Sequence, residues 1–239
     1  MLRPIMRNPK AMAKLLFKIE LTKTQQDIYE EISFRRSGRL IILAMTRYGK
    51  SQTLSMAVLT YAILNNRERI ILVAPTYQQA RILMEYIAHL IVSSDLIAGE
   101  VEFEAEGLER LKKEVTKQRI TFRNGSEIRI LSAEGRGERL MGFGGIVIVD
   151  ESDLISDSVW AKILRMLGDR PENSFLVQIG NPFGLTEHFK KAWNDPNYKK
   201  YRIDWKTALN EGRTTQKFIN EMRTELTDEE FTIFYEATF

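Results

Sequence analysis

Short aliphatic runs of strand length alternate with segments of helical periodicity along this chain. The four clearest runs are Arg39–Ala44, Arg69–Ala74, Ile146–Val149 and residues 175–179. Nearly continuous aliphatic strands that alternate with helices are typical of a parallel sheet covered on both faces. The pattern therefore predicts an α/β fold with a central, mainly parallel sheet.

Helical spacing of apolar residues predicts further elements around these runs. We expect helices over residues 24–34, from residue 54 onward, over Tyr77–Val92, and over residues 215–223 and 228–237. Residues 119–122 and 127–131 flank the dipeptide Asn124-Gly125, which favours a tight hairpin, so an antiparallel insert is expected there. Residues 201–205 are a candidate fifth strand.

The 239 residues suffice for one large domain or two small ones with a buried core. We expect residues 1–20 to form an N-terminal arm or lid segment, residues 21–205 the core, and residues 206–239 a C-terminal helical lid or linker. No apolar run approaches the roughly 20 residues that span a bilayer, so no membrane partner is expected.

The cysteine and histidine content removes several kinds of chemistry. With no cysteine there is no disulfide framework, thiolate metal site or cysteine nucleophile, which suits an intracellular protein. His89 and His188 are far apart in sequence, which argues against a zinc hydrolase or a histidine-based catalytic triad. The net charge of +3 permits contact with nucleic acid without indicating it.

Residues 44–51 (AMTRYGKS) match the phosphate-loop pattern GxxxxGK[ST] at every defining position except the first, which is Ala44. A strand pattern enters this segment and a helical pattern leaves it. In that context backbone N–H groups would face the β-phosphate, Lys50 would reach the β and γ oxygens, and the Ser51 hydroxyl would hold Mg²⁺. An exposed helix start capped by Ser51 is the alternative. The residues expected to contact the nucleotide here are Thr46, Arg47, Tyr48, Gly49, Lys50, Ser51 and Gln52.

Two carboxylates, Asp150 and Glu151, end the third aliphatic run, where ligands of open α/β sheets bind. Asp150 would hold Mg²⁺ and Glu151 would act as general base for the attacking water, although a strand ending in solvated acids is the alternative. Glutamate directly after aspartate favours hydrolysis over a kinase reaction. Asn181, after the fourth run, would sense the γ-phosphate or the water, unless residues 180–182 form a plain turn.

Four segments together resemble the ATPase domain of large terminase subunits, the DNA-packaging motors of tailed bacteriophages. They are TRYGKS in the phosphate loop, LVAPT at residues 72–76, IVIVDES at residues 146–152 and IGNP at residues 179–182. The resemblance extends from about Leu21 to Phe239. It implies a three-layer P-loop NTPase fold of the ASCE or RecA-like class with a small helical lid. It also implies Mg²⁺-dependent ATP hydrolysis that moves double-stranded DNA into a procapsid.

The resemblance also implies roles for individual residues. Residues 21–25 (LTKTQ) are similar to the family's adenine motif, so Gln25 is implied to read the adenine edge, with Gln26 as the alternative. Arg47 is implied to stabilise transition-state charge, unless it forms a salt bridge with an acid at the sheet edge. Residues 132–142 (SAEGRGERLMG) resemble the family's arginine-bearing loop. Arg139, in preference to Arg136, is thus a candidate finger for a neighbouring subunit, and a solvated loop is the alternative.

The partners implied by the resemblance are double-stranded DNA, a portal protein, a small terminase subunit and further copies of the chain. A ring, commonly of five subunits, would form on the procapsid in the host cell cytoplasm, with a monomer expected in isolation. A nuclease domain is expected to be absent. Two alternatives remain open: a helicase-like or DNA-repair ATPase, since the order of motifs also resembles helicases, and a nucleotide-switched binding module.

Overall fold

The computed structural model describes residues 8–102, 118–140, 142–169 and 171–239. Its strands are β1 (Arg39–Ala44), β2 (Arg69–Ala74), β3 (Arg119–Thr121), β4 (Glu127–Ser132), β5 (Ile146–Val149), β6 (Leu176–Gly180) and β7 (Lys199–Ile203). These seven strands of the described residues form one sheet in the order β3-β4-β2-β5-β6-β1-β7. Neighbouring strands are parallel except β3, which is antiparallel to β4. The predicted α/β fold is confirmed.

Helices cover both faces of this sheet. They are α1 (Pro9–Phe17), α2 (Lys23–Ser33), α3 (Lys50–Leu64), α4 (Tyr77–Val92), α5 (Asp95–Ala98), α6 (Asp157–Met166), α7 (Glu187–Asn194), α8 (Trp205–Asn210), α9 (Gln216–Glu225) and α10 (Asp228–Phe231). Alternate residues of each strand face opposite sides. In β1, Leu40 and Ile42 join the core formed with α2, α3 and α4, whereas Ile41 and Leu43 pack against Phe189 of α7. The result is a three-layer fold.

The helix α3, which starts at the phosphate loop, is buried over most of its length. Every residue from Thr53 to Ala62 is buried, as expected for a helix between a sheet and a second layer of helices. The Tyr29 hydroxyl of α2 lies 2.8 Å from Thr60 Oγ1, and burial raises the pKa of Tyr29 to about 12. A tightly packed α3 gives the phosphate loop a rigid support.

The hairpin predicted around Asn124-Gly125 is confirmed as antiparallel, but it is not a separate insert. Its second strand, β4, pairs in parallel with β2 and so belongs to the main sheet. Gly125 has φ +82°, which the tight turn requires and glycine adopts without strain. The Asn124 side chain donates to the carbonyl groups of Ala62, Ile63 and Asn65 at the end of α3.

The C-terminal part of the chain differs from the sequence expectation in two boundaries. The strand expected over residues 201–205 is β7, and it ends at Ile203. Asp204 instead caps α8, since its side chain accepts from Thr207 N at 2.8 Å. The helix expected over residues 228–237 is confirmed from Asp228 to Glu236, but α10 continues directly into a π-helical turn, Thr232–Glu236, which is followed by Ala237 with φ +50°.

Both predicted flanking segments contribute to the main core. Ala13 and Phe17 of α1, and Ile219, Phe231 and Tyr235 from the C-terminal segment, are buried in the same cluster as β1 and α3. The division of the chain at residues 20 and 205 stays a prediction. No helix in the described part of the chain has the length and apolar character needed to cross a bilayer.

Replacing Asn124 by alanine should lower the free energy of unfolding by about 1–3 kcal/mol, because the carbonyl groups at the end of α3 lose their donor. Urea or thermal unfolding measures this loss. Asn220→Ala is the matched control, since Asn220 is exposed and its side chain accepts only from Gln216 among the described residues. Equal stability of the two variants would contradict the anchoring role of Asn124.

Candidate active site

The phosphate loop runs from the end of β1 to the start of α3, as predicted. Gly49 precedes the helix with φ +104°. This φ strains any residue other than glycine, and a Cβ here would also displace the ends of the Arg213 and Gln25 side chains, whose Nη2 and Nε2 atoms would lie 2.8 and 3.0 Å from it. Arg47 also has a positive φ, +66°. These two left-handed residues form the tight turn that leads into α3.

The Lys50 ammonium group joins three segments that are far apart in sequence. Its Nζ lies 2.8 Å from Asn181 Oδ1 and 3.2 Å from the Ala44 carbonyl oxygen, to both of which it donates. Its distance to Glu151 Oε1 is 3.7 Å. Ala44, Glu151 and Asn181 lie at the carboxyl ends of β1, β5 and β6, which are neighbours in the sheet. The structure therefore brings together the residues that the motifs predicted.

Asp150 is a buried carboxylate whose charge is only partly compensated by its surroundings. Its side chain is buried and its Oδ1 atom has no hydrogen-bond partner among the described residues. Burial, reinforced by the Glu151 carboxylate, raises the pKa of Asp150 to about 7, and Lys50 opposes this rise. A buried, unpartnered carboxylate oxygen is costly unless a cation or proton neutralises it. Ser51, in the first turn of α3, is half-buried, and the two oxygen donors fit Mg²⁺.

Glu151 adopts a left-handed backbone conformation, with φ +47° and ψ +48°. For a residue other than glycine this costs about 1–2 kcal/mol. Gly180 allows the turn to approach β6, because a Cβ on Gly180 would lie 3.2 Å from Glu151 Cα and 3.3 Å from Glu151 Oε2. Such strain is often found at functional sites. The sequence motif named Gly180 but did not reveal this contact.

A buried polar network behind Glu151 was missed by the sequence analysis. Ser152 Oγ lies 3.0 Å from Gln178 Oε1 and 3.3 Å from His188 Nε2, and His188 Nδ1 lies 2.9 Å from Asp157 Oδ1. The His188 ring stacks on Trp160 at 4.2 Å, and burial lowers its pKa. The order serine, histidine, aspartate is that of a nucleophilic triad. However, Ser152 is 0% exposed, so no substrate reaches it and its role is structural.

Asp153 anchors the loop that follows Asn181. Its carboxylate, which is 1% exposed, accepts from the N–H groups of Gly184 at 2.7 Å, Leu185 at 3.3 Å and Thr186 at 2.9 Å, and from Thr186 Oγ1 at 2.6 Å. The carboxylate thus supplies acceptors to backbone N–H groups of a turn that pairs with no strand. The sequence signal was the second aspartate in the run DESD, which the motif did not use.

The C-terminal segment holds the other side of the phosphate loop. The Tyr48 hydroxyl donates to Glu211 and lies 3.0 Å from Thr22 Oγ1, while Arg213 Nε donates to the Tyr48 carbonyl oxygen at 3.2 Å. Burial alone would raise the pKa of Glu211, but hydrogen bonds from Tyr48, Thr22 and Thr24 hold it below its usual value. Contacts between residues so distant in sequence have no local signature.

Gln25 contacts the phosphate loop directly. It is 3% exposed, its Oε1 accepts from Thr22 N at 3.1 Å, and its Nε2 donates to the Tyr48 carbonyl oxygen at 3.3 Å. The alternative residue, Gln26, donates to Glu30 at 3.0 Å. Both amide ends of Gln25 are therefore engaged within the protein, and its reading of adenine stays a prediction.

The remaining predicted residues have few contacts in the described part of the chain. The Thr46 N–H donates to the Phe234 carbonyl oxygen at 2.9 Å, and Gln52 is half-buried in the first turn of α3. Arg47 is exposed and pairs with no acid in the described part of the chain, so the alternative salt bridge is not formed. Arg139 and Arg136 are also exposed. Arg139 lies in a short 3₁₀ helix, Glu138–Leu140, and makes no ion pair with a described residue.

Comparison with known proteins finds one matching family and several structures of the same fold. The family described as terminase large subunit, T4likevirus-type, N-terminal, matches residues 41–239. No curated protein matches the sequence significantly.

Solved structures share the fold. The large terminase ATPase domain of Thermus phage P74-26 is 20% identical with a TM-score of 0.73, covering 97% of this chain and 98% of that chain. The large terminase of a thermophilic bacteriophage, in complex with ADP, is 11% identical with a TM-score of 0.68, covering 91% and 53%. The HK97 bacteriophage large terminase is 16% identical with a TM-score of 0.67, covering 92% and 50%. The chain thus spans about half the length of the last two proteins.

Changing Asp153 to asparagine should lower the free energy of unfolding by about 2 kcal/mol or more, because an amide N–H would face donors of residues 184–186. Amide hydrogen exchange of these residues should rise with it. Asp27→Asn is the control, since Asp27 is exposed on α2 and accepts no side-chain hydrogen bond from a described residue. Unchanged exchange at residues 184–186 in the Asp153 variant would refute the anchoring role.

Proposed function

The chain belongs to the family of T4likevirus-type terminase large subunits, matched over their N-terminal region, and we propose that it hydrolyses ATP to drive double-stranded DNA into a viral procapsid. One observation carries the proposal: the phosphate-loop Lys50 lies at the point where Asn181 and the strained Glu151 converge. A lysine, an amide and a carboxylate at one sheet edge are the groups that hydrolysis of a phosphoric anhydride requires.

The proposed reaction is in-line attack of water on the γ-phosphate of ATP. In this reaction Lys50 exchanges its contacts with Asn181 and Ala44 for phosphate oxygens, which are stronger acceptors for an ammonium group. Glu151, relieved of its attraction to Lys50, orients the attacking water and accepts its proton. Asn181 lies close enough to Lys50 to contact the same γ-phosphate. The backbone N–H groups at the start of α3 bind the β-phosphate.

Ser51 and Asp150 are the residues proposed to hold Mg²⁺. The buried, unpartnered Asp150 Oδ1 supports this role. When bound, Mg²⁺ supplies positive charge that neutralises the phosphate oxygens. ATP as the nucleotide is supported by the large terminase of the thermophilic bacteriophage, which is described in complexes with ADP and with ATP-gamma-S. We propose that Gln25 and the phosphate-loop residues Thr46, Tyr48, Gly49 and Gln52 border this nucleotide.

Two arginines are proposed to supply further positive charge during the reaction. Arg47 is exposed within the phosphate loop and is not held by an acid of the described residues, which leaves it available to the γ-phosphate of its own subunit. Arg139 is exposed on the loop between β4 and β5 and would act on the site of a neighbouring copy. That arrangement requires a ring, and the family implies a portal protein and a small terminase subunit as partners in the host cytoplasm.

Glu151→Gln should keep ATP binding and reduce turnover by about 10²-fold or more, because the general base is lost. Lys50→Ala should weaken both ATP binding and turnover. Phosphate release and binding of a fluorescent ATP analogue measure the two effects. The controls are Glu85→Gln and Lys217→Ala, two exposed positions on α4 and α9. Turnover of Glu151→Gln within threefold of its control would point to a nucleotide switch instead.

Arg139→Ala and Glu151→Gln subunits should complement each other when mixed at high protein concentration. Each protein alone should be nearly inactive, whereas an equal mixture should recover up to about a quarter of wild-type turnover, because one interface in four then joins an intact site to an intact arginine. Arg47→Ala with Glu151→Gln is the control mixture and should stay inactive. Equal turnover of both mixtures would contradict the action of Arg139 across an interface.

A further inference from the structure

A cavity of about 620 Å³ lies apart from the candidate active site and is rich in arginine. Arg67, Arg69, Arg119 and Arg129 line it, and Glu127 is the acidic residue among its lining residues. This volume is within the range of ligand pockets. No residue of the phosphate loop or of the two carboxylates after β5 contributes to it. The proposed ATP hydrolysis therefore leaves this cavity without a role.

The cavity lies at the amino-end edge of the sheet. Arg69 and Glu127 are the first residues of β2 and β4 and are partners in the ladder. Gly144, another lining residue, stands just before β5. Because Lys50 and Glu151 follow the carboxyl ends of their strands, the two sites are on opposite edges of the same sheet. A ligand in this cavity would not compete with a nucleotide for space.

The register of the edge hairpin places two arginines directly opposite each other. Arg119 of β3 pairs with Arg129 of β4, and Arg129 is next to Ile71 of β2 in the parallel ladder. Since alternate residues share a face, Arg69 lies on the same face as these three residues. Like charges opposite each other in an antiparallel pair reduce stability. The opposed pair therefore contributes nothing to folding through its charges, whereas an anionic ligand would neutralise both of them.

Three of the lining arginines form no side-chain hydrogen bond within the described part of the chain. Arg69, Arg119 and Arg129 donate no side-chain hydrogen bond to an acid in the described part of the chain. The acids nearest to them are Glu127, 4.0 Å from Arg69 Nε and 3.7 Å from Arg129 Nη2, and Asp169, 3.8 Å from Arg69 Nη1. All three distances exceed that of a hydrogen bond. Most N–H groups of these guanidinium groups are therefore open to an acceptor from outside, and the buried Arg129 Nε has none within the described residues.

Arg129 is held in place for such an acceptor. Its guanidinium group lies over the Phe143 ring at 4.7 Å from the centroid, and its buried Nε has no partner among the described residues. Arg69, by contrast, is 60% exposed at the rim. A fixed guanidinium with unsatisfied N–H groups matches the oxygens of a phosphate group in bidentate geometry.

The chemistry of the surroundings favours a polyanion with phosphates along its length. A neighbouring cavity shares Gly142 and Phe143 with the first and adds Lys162 and Arg165, so the basic surface continues beyond one phosphate. Phe143 is already covered by Arg129, which leaves it unsuited to stack on the base of a single strand. Phosphate contacts need positive charge and donors, and no apolar pocket.

We propose that this arginine-lined cavity binds the phosphate backbone of duplex DNA. The ligand rests on the proposed packaging function, whereas the assignment of the surface rests on the register, the unsatisfied donors and the continuous basic lining. Contacts to phosphate carry no sequence information, so binding through this face is independent of DNA sequence. Such binding suits a protein that moves along a duplex.

The test is the salt dependence of duplex binding by the variant Arg69→Gln, Arg119→Gln. A labelled duplex oligonucleotide of random sequence is titrated by fluorescence anisotropy at several salt concentrations. The slope of log K against log salt should fall by about one for each arginine removed, and affinity at about 0.1 M salt should fall about tenfold. The control variant Arg81→Gln, Lys217→Gln removes the same charge from exposed helical positions and should keep the wild-type slope.

Three results would overturn the proposal. They are a slope equal to that of the control variant, the absence of duplex binding by the wild-type protein at low salt, and tighter binding of polyglutamate than of duplex by the same face. ATP turnover without DNA, measured on the same proteins, separates this proposal from the proposed function. Turnover should be equal in the wild type and both variants, and its absence from the wild type would count against ATP hydrolysis and leave the DNA measurement intact.

Discussion

The contacts of the Lys50 ammonium group are those on which the candidate active site depends. Lys50 lies in a largely buried position, where an unpaired charge would be costly. Its partners come from the ends of three adjacent strands: the Ala44 carbonyl, Asn181 and Glu151. These contacts balance the two consecutive carboxylates after β5 and fix the spacing between the strand ends. A phosphate group that takes Lys50 would therefore alter the surroundings of Glu151 and Asn181 together.

Two sets of polar contacts support the residues of the candidate active site. On one side, Ser152 and Asp153 connect the turn after β5 to α7 and to the loop after Asn181. On the other side, Glu211 and Arg213 hold Tyr48, which ties the C-terminal segment to the phosphate loop. Buried polar networks whose members are satisfied restrict a site to one arrangement. This rigidity explains how Glu151 keeps its left-handed backbone conformation.

The sequence predicted the parts of the structure that depend on local pattern. Aliphatic runs located the strands, and the motifs located Lys50, Asp150, Glu151 and Asn181, because the carboxyl ends of parallel strands meet at one edge. It did not predict the membership of β4 in the main sheet, since strand pairing is decided by tertiary contacts. The link between Tyr48 and Glu211, and the opposed pair Arg119 and Arg129, depend in the same way on packing and register. The end of β7 was missed because the cap at Asp204 competes with the strand.

The most direct measurement of the central claim is phosphate release from ATP by the unmodified protein, with Mg²⁺ and with the metal removed by a chelator. The account predicts steady release with Mg²⁺ and its loss on chelation, because the Asp150 carboxylate and Ser51 hydroxyl are then without the cation that we propose they hold. Release that continues unchanged without metal would contradict the assignment of these residues. Absence of release with Mg²⁺ at every protein concentration, while ATP still binds, would contradict hydrolysis itself.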